Sequence, residues 1–302
     1  MKRLRLIAIA FLMLLASFPV HADAPENNMA LGPGVYKGGA AARNVADGQQ
    51  ITLDPAWKYA EFSAIHSGAA VMYRAKTNRK EKTVAVNAGH GTRDGASKKT
   101  LSHPDGTPKV TGGTTAKGAV YSTAVSSGMT FQDGTTERTV TLQMARILRD
   151  KLLAEGYDVL MIRDGEDVQL DNIARTVIAN NAADIHIALH WDGDGLSYDK
   201  GVFYMSVPDA MKQMEPVKSH WEEHERLGNC LIAGLEETVP GIKVFSSTGH
   251  GAMDMDLTQT SYSTVPSVDI ELGNQCSEHG EKTLGARADG LVRGIGRYFE
   301  KK

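Results

Sequence analysis

The stretch Thr83–Gly91, TVAVNAGHG, constrains this chain more than any other. Val84, Val86 and Ala88 alternate with Thr83, Ala85 and Asn87, and nearly all are small or β-branched. That is the pattern of a strand buried on both faces. It ends at Gly89-His90-Gly91, where two glycines let the backbone turn sharply and leave an imidazole at the strand's carboxyl end. Such a strand needs parallel neighbours with helices on both sides, and in open sheets of that kind ligands bind at the carboxyl edge. What matters in the rest of the chain is what reaches that edge.

Strands and helices alternate from there onward. Glu137–Glu155 has a helical stripe of Val140, Met144, Ile147, Leu148 and Lys151, with Leu152 following; Thr135 or Thr136 can cap it and Gly156 can end it. Tyr157–Ile162 reads as a strand, Asp171–Asn180 as a short helix, and Asp184–Leu189 as a strand ending at His190-Trp191. Gly201–Val207 is a further strand, Trp221–Thr238 a helix burying Leu227, Cys230, Leu231 and Leu235, and Ile242–Phe245 a short strand. Ser247–Thr264 has no pattern and reads as a loop. Val265–Ile270 is a strand ending at Glu271-Leu272-Gly273, and Leu284–Phe299 closes the chain as a helix. The alternation predicts an α/β fold over 83–302: one three-layer domain with a mostly parallel twisted sheet flanked by helices.

Before it, 23–82 reads as a small β-like segment. Asp23–Gly48 has no period and reads as an arm, while Trp57–Ile65 and Ala69–Ala75 flank His66-Ser67-Gly68 as a β-hairpin. Thr92–Thr136 is rich in Gly, Thr, Ser and Lys. It reads either as a surface loop or as an ordered wall or lid, the use that long loops in compact domains often serve.

Residues 1–22 carry the marks of a signal peptide: Lys2, Arg3 and Arg5, then the apolar run Leu6–Phe18, then Val20-His21-Ala22, with cleavage expected after Ala22. The mature protein is therefore expected to be exported, to the periplasm or to the extracellular cell wall. No other long apolar run exists, so no stable membrane insertion is expected after cleavage. A net charge of −3 without a basic run argues against nucleic acid as a partner. Cys230 and Cys276 permit a disulfide in an exported protein, and equally two separate thiols.

His90, His190 and Glu271 fall at carboxyl ends of predicted strands, and Glu137 at a helix start. Two histidines and a carboxylate form the ligand set of a hydrolytic zinc site, whose fourth position is left for water. A second carboxylate near that water serves as base.

Four segments resemble the catalytic domain of the zinc-dependent N-acetylmuramoyl-L-alanine amidases, the amidase-3 family. VAVNAGHG resembles the strand and Gly-His-Gly whose histidine, here His90, binds zinc. ERTVTLQMARILRDKLLAEGYDVLMIRDGE resembles the helix that opens with a zinc-binding Glu, here Glu137. LDNIARTVIANNAADIHIALHWDG resembles the segment holding an Arg, an Ala-Asn and a second zinc histidine, here Arg175, Ala179-Asn180 and His190. VPSVDIELG resembles the segment with the catalytic Glu, here Glu271. The chain departs from the family at Asn87-Ala88, where Asp-Pro is usual, at the long linker Gly91–Thr136, at Trp191-Asp192 and at Asp269.

The resemblance implies hydrolysis of the amide between N-acetylmuramic acid and the L-alanine of the peptidoglycan stem, with Zn2+ as cofactor and peptidoglycan as partner. An activator is left open as a second partner. Arg163, Arg175 and His250 are candidate substrate-binding residues; His250 repeats the Gly-His-Gly setting at Gly249–Gly251 and is also a rival metal ligand. A secreted zinc peptidase or deacylase acting on another amide, and a non-catalytic wall-binding domain, are the alternative functions.

Overall fold

The computed structural model describes residues 35–36 and 44–300; the expected signal peptide and most of the expected arm lie outside the described residues. The strands are β1 (Val35–Tyr36), β2 (Gln50–Ile51), β3 (Ala70–Tyr73), β4 (Thr83–Ala88), β5 (Lys99–Leu101), β6 (Tyr121–Thr123), β7 (Asp158–Met161), β8 (Ile185–Asp192), β9 (Phe203–Ser206), β10 (Ala252–Asp254) and β11 (Ser267–Asn274). The helices are α1 (Glu137–Ala154), α2 (Asn172–Ala182), α3 (Val217–Thr238), α4 (Thr258–Tyr262) and α5 (Glu281–Glu300).

All these strands but β5 and β6 form one nine-stranded sheet in the order β1-β2-β3-β7-β4-β8-β11-β9-β10. Its centre, β7-β4-β8-β11, is parallel throughout. Every residue of β4 is buried. Val84, Val86 and Ala88 pack into a core shared with α1, α3 and α5, while Ala85 joins a second core with α2 and Tyr262. The alternation read from the sequence is thus the alternation between the two faces of a three-layer domain. Leu148 and Leu152 of α1 are wholly buried in the first core; truncating either to alanine is a change that costs roughly 2–5 kcal/mol.

The N-terminal segment differs from expectation. β2 and β3 extend the main sheet, β3 running antiparallel to β7. No hairpin joins Trp57–Ile65 to Ala69–Ala75. Asp171 holds the first of these as a loop: its Oδ2 accepts from the amides of Ala64 (2.6 Å) and Ile65 (2.8 Å) and from the Ser63 hydroxyl, while its Oδ1 caps α2 at the Ala174 amide. Trp57 and Tyr59 are buried beside α2, so their aromatic character served the core and not a hairpin. Val45, within the expected arm, is buried too.

Ile242–Phe245 forms no strand, only an isolated bridge from Val244 to Val202. The expected loop Ser247–Thr264 instead contains β10 and α4. Cys230 and Cys276 are not joined in a disulfide. Among the described residues no helix is long and apolar enough to cross a membrane.

Candidate active site

β4, α1 and β8 bring His90, Glu137 and His190 together at the carboxyl edge of the sheet. One ligand atom from each lies within 4.8 Å of the others. The close approach depends on missing side chains. A Cβ on Gly89 would overlap the His190 imidazole, and one on Gly128 would lie 2.8 Å from the His90 ring and 2.9 Å from Glu137.

His90 itself adopts a left-handed backbone, φ 64°, a conformation costly for a residue with a side chain. Two buried arginines hold it there. Arg175 donates to the His90 carbonyl (2.6 Å), to the Ala88 carbonyl and to the Asn87 side chain. Arg163 donates to the carbonyls of Ala88 and Gly89 and to the Thr141 hydroxyl. Burial pushes these guanidinium groups down to about 9 for Arg163 and about 10 for Arg175, so both remain cationic at neutral pH. Neither lines the cavity beside the histidines. Their contacts are with the strand end, not with space for a substrate.

The donor set fits a cation. His90 Nδ1 lies 2.9 Å from the Ser126 carbonyl, which can only accept, so Nδ1 carries the proton and neutral His90 presents a lone pair at Nε2. That Nε2 faces Glu137 Oε1 at 2.8 Å and His190 Nδ1 at 3.1 Å, and His190 Nδ1 is 3.0 Å from the same carboxylate oxygen. A lone pair on His90 Nε2 and a carboxylate oxygen this close need a shared positive charge, supplied by a cation or by a proton on His190. Burial disfavours the His190 imidazole as a cation, but Asp269 and Glu137 raise it on balance. Glu137 is itself fixed, accepting at Oε1 from the Trp191 amide and at Oε2 from the Met129 amide. Burial opposes its ionisation, but the two histidines outweigh this and hold it well below the usual carboxylate range.

The cavity over this group has a volume of about 500 Å³. Asp192, Asp269 and Glu271 line it with Glu137, making it acidic. Glu271 is the register partner of His190 across β8 and β11, and Asp269 lies two residues before it on the same face. Burial, reinforced by the charges of Asp269 and Glu137, raises the Glu271 carboxyl well above its ordinary value. Burial likewise raises Asp269, with the His190 charge opposing. Glu271 Oε2 and Asp269 Oδ1 are buried without a hydrogen-bond partner, as polar atoms are when they await a ligand or water.

The long insertion supplies part of the wall. Gly113, Thr114 and Ser126–Met129 line the cavity, facing Met205, Met255 and Leu257. Sequence reading missed Asp192, Ser126 and this apolar wall; the small run Ser126-Ser127-Gly128 was the available signal for the close packing on His90. His250 stands apart. It is exposed, paired with Glu236 of α3 at 2.9 Å, and does not line the cavity.

Residues 84–290 match the model of a family described as N-acetylmuramoyl-L-alanine amidase. No curated protein sequence matches the chain. Among solved structures it is similar to the N-acetylmuramyl-L-alanine amidase of Mycobacterium smegmatis, with TM-score 0.57 and 20% identity over 73% of this chain and 98% of that one. The apo enzyme of Mycobacterium abscessus gives TM-score 0.56 and 20% identity over 72% of this chain and 98% of that one. An N-acetylmuramoyl-L-alanine amidase of Nostoc punctiforme gives TM-score 0.52 and 15% identity over 74% and 100%. At these identities the structural likeness establishes the fold.

Proposed function

The chain belongs to the N-acetylmuramoyl-L-alanine amidase family, amidase-3, and on that premise we propose that it cleaves the peptidoglycan amide with a zinc ion held by His90, Glu137 and His190 and with Glu271 as base. The observation that carries the zinc assignment is the convergence of His90 Nε2, His190 Nδ1 and Glu137 Oε1, with the proton of His90 committed to Ser126. The chemistry zinc supplies when bound is Lewis acidity, which polarises the amide carbonyl and acidifies a water.

The remaining work falls to the chain's own side chains. Glu271 accepts a proton from the attacking water and returns one to the departing amine of L-alanine, so the carboxylate is regenerated in each cycle. Its buried, unpartnered Oε2 leaves it a free acceptor for that proton. Arg163 and Arg175 act on substrate only indirectly, by fixing the Ala88–His90 backbone. The catalytic unit includes β2 and β3 as well as 83–302, because they complete the sheet. Action on peptidoglycan requires export, consistent with the signal-like residues 1–22.

The test is digestion of purified peptidoglycan by the zinc-loaded protein, with products identified by mass spectrometry. Peptides with a free L-alanine amino terminus, alongside peptide-free glycan, are expected. Release of internal stem fragments or of acetate would overturn the reading in favour of a peptidase or a deacylase.

A further inference from the structure

The metal-site cavity shares wall residues with two further cavities, and the two differ in charge. On one side, across Ser126 and Ser127, lies a space of about 530 Å³. It is lined by Arg93, Asp94, Arg138, Arg146, Glu166 and Asp167. On the other side, across Met129 and Gly193, lies a space of about 470 Å³ whose lining includes Thr130, Gln132, Ser197 and Gln275 and no charged residue. The metal-site cavity is thus flanked by a charged arm past Ser126 and Ser127 and an uncharged arm past Met129 and Gly193.

Within the charged arm some charges are already matched. Arg93 pairs with Asp167 at 2.9 Å and Arg146 with Asp164 at 3.4 Å. Among the described ion pairs none involves the side chains of Arg138, Asp94 or Glu166, which leaves one cation and two carboxylates facing the same space. A ligand that complements this arm carries both an anionic and a cationic group. The substrate of the proposed reaction has that asymmetry about its scissile bond. Beyond L-alanine the stem bears carboxylates and the amine of a diamino acid, whereas the glycan presents hydroxyls and acetamides.

Resting on the amidase reading, we infer that the charged arm beside His90 receives the stem peptide beyond L-alanine and the uncharged arm beside Gly193 receives the glycan. Arg138 is then a specificity residue for the stem carboxylates, and Asp94 and Glu166 face the diamino acid's amine. Arg138 is exposed on the first turn of α1, so its replacement removes no buried contact.

The test compares two substrates of the zinc-loaded enzyme: a disaccharide bearing L-Ala-D-Glu-diamino acid, and the same disaccharide bearing L-alaninamide. The readout is the ratio of their kcat/KM values. Arg138→Gln should lower that ratio about tenfold, the scale of one exposed charge-assisted contact, and Arg138→Glu should lower it further. Gln132→Ala, in the uncharged arm, should lower both rates by a similar factor and leave the ratio unchanged. A ratio unmoved by both Arg138 variants, or moved by Gln132→Ala instead, overturns the assignment of the arms while leaving the amidase reading intact. Failure of the wild type to release the tripeptide or L-alaninamide with a free L-alanine amino terminus from either substrate overturns the amidase reading and this inference with it.

Discussion

Glu271 stands directly beside His190 across the parallel pair of β8 and β11, with Asp269 two residues earlier on the same face. The register forces this: a strand slipped by one residue would turn both carboxylates to the opposite side of the sheet. Glu271 is therefore held beside His190 without joining the His90, Glu137 and His190 group. Glu271→Gln keeps the size of the side chain but cannot accept a proton. Activity should fall by ~10²–10⁴-fold with zinc content and fold retained. Asp269→Asn is the control, since Asp269 shares the face and lies 3.7 Å from His190 Nε2. A dead Asp269 variant beside a fully active Glu271 variant would reverse the assignment of the base.

The second prediction concerns the metal group. His90→Ala and His190→Ala each remove one converging donor, so stoichiometric zinc should be lost, as measured by metal analysis of the purified variants. Gly89→Ala should do the same without touching a ligand, because its methyl group occupies the space of the His190 ring. Full zinc retention in both histidine variants would show that the metal, if any, is held elsewhere.

Much of this was legible in the sequence because hydrophobic period and motif coincided. β4, α1, β8, β11 and α5 fell within a few residues of expectation, and the ends of the first four carry the site. Two of the failures share a physical cause: segments stabilised by polar contacts carry no apolar period. In α4 the buried residues include Gln259, Thr260 and Ser261. Gln259 donates to Ser267 and to the Val268 carbonyl, and Ser261 donates to Leu257. The hairpin β5–β6 sits in a stretch that read as an unpatterned loop for the same reason, with Ser102 and Ser122 bonded to each other in its interior. Arg163 and Arg175 looked like ligand-binding cations because one sequence does not show whether an arginine points in or out; their carbonyl partners are set by the turn after β4.

The third prediction is a pH dependence of stability. His186 and His224 are buried, and both Nε2 atoms lack a partner. Burial, then the Arg175 charge, pushes His186 down to about 3, and burial, then His220, pushes His224 down to about 3. An unfolded histidine takes up its proton near pH 6.5. As pH falls below that value the unfolded state binds protons that the native state refuses, so stability declines. The contribution is fully present above about pH 6.5 and is lost as pH falls toward about 3. Between pH 6 and 5, above most carboxylate titration, each histidine should add a slope of ~1.4 kcal/mol per pH unit. Denaturant unfolding at a series of pH values should show the slope reduced by about that amount in His186→Leu. An unchanged slope would mean that His186 is protonated in the native state.

The last prediction tests whether the insertion is an ordered wall. Asp256 follows β10 and sits between Met255 and Leu257, which line the cavity over His90, Glu137 and His190. Its carboxylate gathers the insertion around it. His103 lies 2.9 Å from Oδ2, the Val110 amide donates to the same oxygen at 2.7 Å, and Oδ1 accepts from Lys109 at 3.0 Å and from the Thr111 amide and hydroxyl. Burial would raise this carboxyl, but the His103 and Thr111 hydrogen bonds, the Val110 amide and the Lys109 charge outweigh it and hold it well below the usual range. Asp256→Asn replaces an acceptor by a donor that faces other donors, and breaking a buried pair of this kind costs roughly 3–5 kcal/mol. The residues from His103 to Thr115 should then detach while the sheet and the metal group, which they do not support directly, stay formed. Limited proteolysis should cut that segment in the variant and spare it in the wild type. Zinc content should be unchanged, and KM for polymeric peptidoglycan should rise several-fold. A variant that is cut at the segment yet keeps wild-type kinetics would show that the insertion is ordered but takes no part in holding substrate.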